Sequence, residues 1–316
     1  MPTAKTIPRA ASAHLLRDTD LSPEEHDELI RLAVDVKASP GSYRTALDGK
    51  AGAMLFEKPS LRTRVTFDLA LRQLGADSVY QDHRGDRIGE REPARDMARN
   101  LDRWFQVIVA RTYSQSTLDE LARWSSAPVI NALSGGYHPC QAMADYLTFY
   151  ERFGGFKGKK LAYIGDGNNV AHSLLLTGAA LGVDLAIGGP EGYQPDAEIV
   201  SVTKKLAEAS GSNIEITSDP AQAVAGASAV YTDVWTSMGW EEETQRRHIA
   251  FQSFQVDDAL MAKAGPEAIF MHCLPALRGQ EVTDAVIESP QSAVFDQAEN
   301  RLHAQKALLL MLMSGS

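Results

Sequence analysis

Cysteine is scarce: the 316 residues include two, Cys140 and Cys273. Two thiols so far apart cannot form the disulfide framework of a small secreted scaffold, and they read as free groups in a reducing compartment. Long apolar runs are also missing. No segment approaches the roughly 20 residues that a membrane helix needs. The N-terminal stretch lacks the apolar core of a signal peptide, so the expected location is the cytoplasm and no membrane partner is expected. Positive charge is in deficit, with 31 Lys and Arg against 41 Asp and Glu, a net −10. A polyanionic partner needs clustered cations, so a nucleic-acid surface is excluded as the main business. A small anion can still bind if the arginines are local. Fixed-period repeats and low-complexity segments are absent as well.

Hydrophobic residues make up 44% and charged residues 23%, the balance of a globular protein long enough for two domains. Ser22 followed by Pro23 is a helix start, and that helix is expected to run to about residue 39. Strands are expected at 51–56, 78–80, 106–110 and 128–131. Helices fall near 61–74, 93–103, 117–124 and 139–153, and Gly154-Gly155 stops the last. A second series follows, with strands at 161–164, 183–187, 213–216, 229–231 and 268–272. Its helices are expected near 170–181, 196–210, 220–225 and 256–264, with one long helix over 296–313. Such alternation predicts an α/β protein of two domains divided near residue 150, each a mostly parallel sheet with helices on both faces. Ligands in such folds sit beyond the carboxyl ends of the strands.

The residues that follow the strands carry the chemistry. Ser60 can cap the helix after the first strand. The freed N–H groups of residues 61–63, with Ser60, Arg62 and Thr63, then make a phosphate cradle. A plain helix start with surface arginines has the same pattern. Arg111 ends the third strand, as a site cation or an ordinary strand-end arginine. His138 and Gln141 lie one helical turn apart. They can donate to a carbonyl oxygen and position an amide, unless His138 is only a cap. Gly165-Asp166-Gly167-Asn168-Asn169 is like a dinucleotide-binding turn, but position 170 is Val and no acidic residue closes the next strand. A nicotinamide site is therefore discounted, and the asparagines suit a small polar ligand. Asp233 with Ser237 four residues on suits an α-amino-acid head group, or is a plain loop. Cys273 is a base or nucleophile, or an inert thiol. Nothing at ligand spacing completes His272 and Cys273 into a metal site.

Four of these segments, in order, resemble one family. They are Phe56-Glu57-Lys58-Pro59-Ser60-Leu61-Arg62-Thr63-Arg64, His138-Pro139-Cys140-Gln141, Asp233-Val234-Trp235-Thr236-Ser237-Met238-Gly239 and His272-Cys273-Leu274-Pro275. With the tail Phe295-Asp296-Gln297-Ala298-Glu299-Asn300-Arg301, they are similar to the motifs of the ornithine carbamoyltransferases. The likeness runs from about residue 10 to the end. It implies a carbamoyl phosphate domain over 1–150, an ornithine domain over 151–290 and a C-terminal helix, 291–316, packed back on the first. By the same resemblance, Ser60, Leu61, Arg62, Thr63, Arg111, His138 and Gln141 hold carbamoyl phosphate. Asn169, Asp233, Ser237 and Met238 hold L-ornithine, and Cys273, Leu274 and Arg301 close the site. Arg111, His138, Asp233 and Cys273 carry the catalysis. The family implies a homotrimer or a multiple of trimers.

Two departures stand out. Leu61 replaces a common Thr and loses a hydroxyl ligand for phosphate. Arg87 stands where Gln is common, on a loop that in the family reaches a neighbouring subunit's phosphate, and is expected to compensate. The reaction needs no metal and no cofactor, because phosphate is already a good leaving group. Domain closure, with the 237–239 loop as a lid, is the expected way to bring the halves together. Three rivals are weighed: another acceptor such as putrescine, acetylornithine or aspartate, of which the first two fit the Asp233/Ser237 pair poorly; a nucleotide-binding dehydrogenase, weakened by the missing third glycine; and a non-catalytic paralogue, against which the intact site residues argue.

Overall fold

The computed structural model describes residues 7–236 and 241–314. The chain divides into two compact units, one holding residues up to Leu147 and those from Asn300 onward, the other Thr148–Glu299. No described helix is long and apolar enough to cross a membrane.

The first unit carries α1 (Pro23–Ala38), β1 (Ala51–Phe56), α2 (Leu61–Gln73), β2 (Asp77–Asp82), α3 (Ala94–Leu101), β3 (Val107–Arg111), α4 (Gln115–Trp124) and β4 (Val129–Leu133). Helix α5 (Pro139–Phe153) runs across the unit boundary. All strand pairs are parallel, in the order β2-β1-β3-β4. β3 and β4 are buried along their whole length, whereas edge strand β2 alternates between half-buried and exposed positions. β3, between two neighbours, reads as the apolar run Val107–Ala110; β4 is the other edge, carries Asn131, and is bridged at Ile130 by Leu15. Ala53 and Leu55 face one layer with Leu101, Leu118 and Leu121 of α3 and α4. Gly52 points the other way, where a Cβ would come 2.7 Å from Leu71 of α2. Helices therefore cover both faces.

Ser22 caps α1 in a reciprocal box with Glu25. Inside that helix His26 is buried, and its Nε2 donates to the Asp18 carbonyl at 2.9 Å. Burial pushes its imidazole down to about 4. The unfolded chain therefore takes up a proton near pH 6.5 that the folded chain refuses until about pH 4, so stability falls as pH drops through that window. About 2 kcal/mol is expected to go between pH 7 and pH 5. His26→Gln, which keeps the donor without the titration, should flatten this slope. Urea unfolding at the two pH values checks it, and equal slopes would remove His26 as the cause.

The second unit carries β5 (Lys160–Ile164), α6 (Asn169–Leu181), β6 (Asp184–Gly188), α7 (Ala197–Ser210), β7 (Ile214–Thr217), α8 (Pro220–Val224), β8 (Ala229–Thr232), α9 (Thr244–Phe251), α10 (Asp258–Ala264), β9 (Ile269–His272) and α11 (Asp284–Ile287). Helix α12 (Val294–Met313) crosses the second boundary. Its sheet is also parallel, ordered β7-β6-β5-β8-β9. Ile164, Val230 and Phe270 form one core with Phe251, Phe254 and Leu260.

Each strand order reverses once. In the first unit the chain moves outward from β1 to β2 and then returns to place β3 on β1's other side. In the second unit the same reversal separates β5 from β8. Such a switch point opens a crevice at the carboxyl ends of the two strands, because the flanking connections leave on opposite faces. The candidate residues follow β1 and β3 in one unit, and β5, β8 and β9 in the other.

Candidate active site

In the first unit Ser60 caps α2, its Oγ accepting from the Thr63 N–H at 3.2 Å. Leu61 occupies the first helical turn, and its side chain is 75% exposed. Arg62 is half-buried beside it. Arg111 ends β3 where the register with β4 shifts between Ala110 and Arg111. A bulge of this kind re-aims a strand-end side chain, and Arg111 is buried, as are Thr63, His138, Gln141 and Arg301. Arg301, in α12, donates from Nη2 to Thr63 Oγ1 at 3.0 Å and from Nη1 to Gln141 Oε1. Gln141 Nε2 donates to Asp145 Oδ1 at 2.7 Å. A carboxylate only accepts, so the Gln141 amide is oriented with its oxygen toward the cations. Both ends of the Gln141 amide thus have partners within this unit, Nε2 on Asp145 and Oε1 on Arg301.

The imidazole of His138 is held well below its usual range, first by burial and then by the charges of Arg301, Arg111 and Arg62. It is a neutral hydrogen-bond donor or acceptor at pH 7. Three arginines acting on one buried neutral ring leave local positive charge that suits an anion. Arg87 lies on an exposed loop, its guanidinium 4.3 Å from the Tyr113 ring centroid, with Lys58 at 4.4 Å from the same ring. The buried Glu57 carboxylate ties that loop down, accepting from the N–H groups of Ile88 at 3.0 Å and Tyr113 at 2.8 Å.

In the second unit the switch point holds Asp233, which is buried. Its Oδ2 accepts from Asn168 Nδ2 at 2.9 Å. Its Oδ1 accepts from the Cys273 thiol at 3.1 Å and from the Val234 N–H at 2.8 Å. Asn168 is held in turn as the cap of α6, its Oδ1 accepting from Val170 and Ala171. Asn169 follows it as a half-buried residue in the first turn, and Cys273 and Leu274 are half-buried as well. Ser237 and Met238 lie outside the described residues. Gly167 has a packing reason for being glycine: a Cβ there would come 2.2 Å from the Pro195 nitrogen. Its place in the turn therefore needs no dinucleotide.

Asp233 also supplies what sequence spacing did not, a third group near His272 and Cys273. Ligand atoms of the three lie within 4.8 Å of one another. Yet His272 Nδ1 accepts from the Leu274 N–H at 2.8 Å, and Nε2 contacts Glu281 Oε1 at 3.2 Å. With Nδ1 accepting and Nε2 donating, the ring has no lone pair left for a metal.

Asn168 was read with Asn169 as suited to a small polar ligand, and the structure puts its amide on Asp233; Asp145 and Glu281 were not singled out as site groups. Residues 13–151 match the family model described as aspartate/ornithine carbamoyltransferase, carbamoyl-P binding domain. Residues 157–312 match the Asp/Orn binding domain of the same family. The chain is 48% identical over 303 residues to the ornithine carbamoyltransferase of Acidothermus cellulolyticus, covering 96% of this chain and 97% of that one. It is 47% identical over 298 residues to that of Pyrococcus abyssi, with 94% of each covered. The solved structure of the Pyrococcus furiosus ornithine carbamoyltransferase is similar at a TM-score of 0.94 and 44% identity, over 99% of this chain and 100% of that one. The Giardia lamblia ornithine transcarbamoylase follows at 0.89 and 34% identity, over 97% and 99%.

Proposed function

The chain belongs to the aspartate/ornithine carbamoyltransferase family, and on that premise we propose that it transfers the carbamoyl group of carbamoyl phosphate to the side-chain amine of L-ornithine. The products are L-citrulline and phosphate. The observation that carries ornithine over aspartate is the buried Asp233 carboxylate at the β5/β8 switch point, held on both oxygens. A fixed carboxylate attracts a cationic amino acid and repels a dicarboxylate.

The donor belongs to the first unit. The N-terminus of α2, Ser60, Leu61 through its N–H, Arg62 and Thr63 hold the phosphate. Arg111 and neutral His138 stabilise the oxyanion as the carbonyl becomes tetrahedral. Gln141 Oε1 takes the carbamoyl amide, and Arg301 holds Gln141 and Thr63 in register. The acceptor belongs to the second unit, where Asn169, Asp233, Ser237 and Met238 bind ornithine. An alkyl ammonium titrates near 10.4, so well under about 1% is neutral in water at pH 7. Asp233 and Cys273, directly or through water, take the proton from the amine. The neutral nitrogen then attacks, the new C–N bond forms, the C–O bond to phosphate breaks, and the second proton of the attacking nitrogen leaves with the phosphate. Cys273 and Leu274 shield the reacting group.

The protein works in arginine metabolism, in the cytoplasm, as a trimer or a multiple of trimers. What supports assembly is an apolar stripe on α2, Leu61, Val65 and Leu69, with Val79 on the neighbouring edge strand, all exposed. Such a surface is one that proteins cover.

The test is citrulline formation by purified protein given carbamoyl phosphate and, in turn, ornithine, acetylornithine, putrescine, lysine and aspartate, with phosphate release followed in parallel. Ornithine-dependent citrulline is expected. Turnover with another amine alone would keep the donor assignment and overturn the acceptor. No amine-dependent release would leave a non-catalytic relative, with Leu61 and Arg87 as the first suspects.

A further inference from the structure

The turn after β9 holds a conformation that its sequence does not favour. Leu274 has φ +56°, in the left-handed region that a non-glycine residue enters rarely and keeps only where neighbours over-determine it. A chain of hydrogen bonds does so here. The Leu274 N–H donates to His272 Nδ1 at 2.8 Å. His272 Nε2 donates to Glu281 Oε1 at 3.2 Å. The same oxygen accepts from the Leu277 N–H at 2.6 Å. The His272 N–H itself is held by Gln297 Oε1 at 3.0 Å. Both side chains of the His272–Glu281 pair are fully buried, and Glu281 Oε2 has no hydrogen-bond partner among the described residues. One oxygen thus carries the whole connection. It reaches the backbone on both sides of the turn, at Leu277 directly and at Leu274 through the imidazole. Cys273 lies between His272 and Leu274, with its thiol on Asp233.

We infer that Glu281 is a positioning residue for the transfer: it brackets the 272–277 turn through His272 and Leu277, holds Leu274 in its left-handed conformation and keeps Cys273 on Asp233. The inference rests on the reading of Cys273 and Asp233 as acceptor-side groups. Glu281 touches no substrate, and its effect passes through the turn. An acceptor oxygen at that place is what the bracket needs, and a negative charge is not.

Two substitutions separate those needs. Glu281→Gln keeps an oxygen at Oε1, and Glu281→Leu keeps the volume but removes both acceptors. Glu281→Leu is expected to lower kcat about 100-fold, the effect of moving a reacting group by about 1 Å. It should raise the KM for ornithine while the Kd of carbamoyl phosphate stays within about twofold, because the donor groups lie in the other unit. Glu281→Gln should stay within about threefold of wild type, since its hydrogen bonds survive. Alkylation of Cys273 by iodoacetamide gives a readout that does not depend on turnover. Its rate should change in the Leu variant and not in the Gln variant, and Cys140, fully buried with its thiol pushed up to about 12, should stay silent.

Wild-type turnover and alkylation in Glu281→Leu would overturn the inference, as would equal losses in the two variants. If the Leu variant does not fold, His272 decides. His272→Asn leaves an acceptor near the place of Nδ1 for Leu274, and His272→Gln does not. The Asn variant should retain at least about tenfold more turnover, and equal turnover would overturn the bracket. A wild-type protein that makes no citrulline, yet whose Cys273 reactivity still follows Glu281, would sink the carbamoyl-transfer reading and leave the bracket standing.

Discussion

Replacing Arg111 by methionine should lower turnover by about a thousandfold, the upper range for deleting one donor to a developing oxyanion. The expectation comes from where the side chain is held. Arg111 is buried at the carboxyl end of β3, re-aimed by the register shift against β4. It acts on His138 together with Arg301 and Arg62. Methionine keeps most of the apolar stem, so packing along the strand survives. Removing one of several like charges around a buried ring should leave thermal stability unchanged or raise it. The His138 imidazole should move back up toward its ordinary range, because one of the charges opposing its protonation is gone. Citrulline formation and a thermal melt check the two halves. Turnover within tenfold of wild type would remove Arg111 from the chemistry.

Asp233→Asn is the second large effect, and it should fall on the acceptor. The KM for ornithine is expected to rise about 100-fold, the scale of losing one member of a buried charge pair. Affinity for carbamoyl phosphate should hold. Asparagine is nearly isosteric, but the site does not tolerate it quietly. Asp233 Oδ2 faces the Asn168 amide and Oδ1 faces the Cys273 thiol and the Val234 N–H. Whichever way the new amide turns, one donor meets another. The mispairing costs about 1–3 kcal/mol locally. Cys273→Ala separates the thiol from the carboxylate. It should lower turnover more than it weakens carbamoyl phosphate binding, while the ornithine KM moves less than in Asp233→Asn. An unchanged ornithine KM in Asp233→Asn would overturn the acceptor assignment, and wild-type turnover in Cys273→Ala would count against a catalytic thiol.

Some features are visible in the chain because local chemistry decides them. Ser22-Pro23 starts α1 where a capping serine and a first-turn proline require it. The apolar run of β3 ahead of Arg111 marks a strand buried on both faces. Ser60 caps α2 and Pro139 opens α5 as expected. Other features depend on partners far away in sequence. β3 was expected from residue 106 with Arg111 at its end; its pairing with β1 begins one residue later, at Val107, and runs through Arg111. The helix expected from residue 256 starts at Asp258, because Val256 is taken up by a bridge to Val282. Helix α9 (Thr244–Phe251) was not expected: its sequence is mostly polar, and its footing comes from Arg247 on Asp166 at 2.8 Å and Phe251 in the core.

The sequence by itself determined the alternation of strands and helices, the places where side chains emerge after strands, and the motifs that point to carbamoyl phosphate and ornithine. These follow from periodicity, capping and residue identity, which act over a few positions. Tertiary structure decided which way each functional group faces. Asp145 turns the Gln141 amide, Asn168 and Cys273 fix the two oxygens of Asp233, and Glu281 spends the lone pair of His272 on its own turn. The reason is physical: a hydrogen bond has a donor and an acceptor end, and which end a side chain presents here depends on partners 40 and 160 residues away.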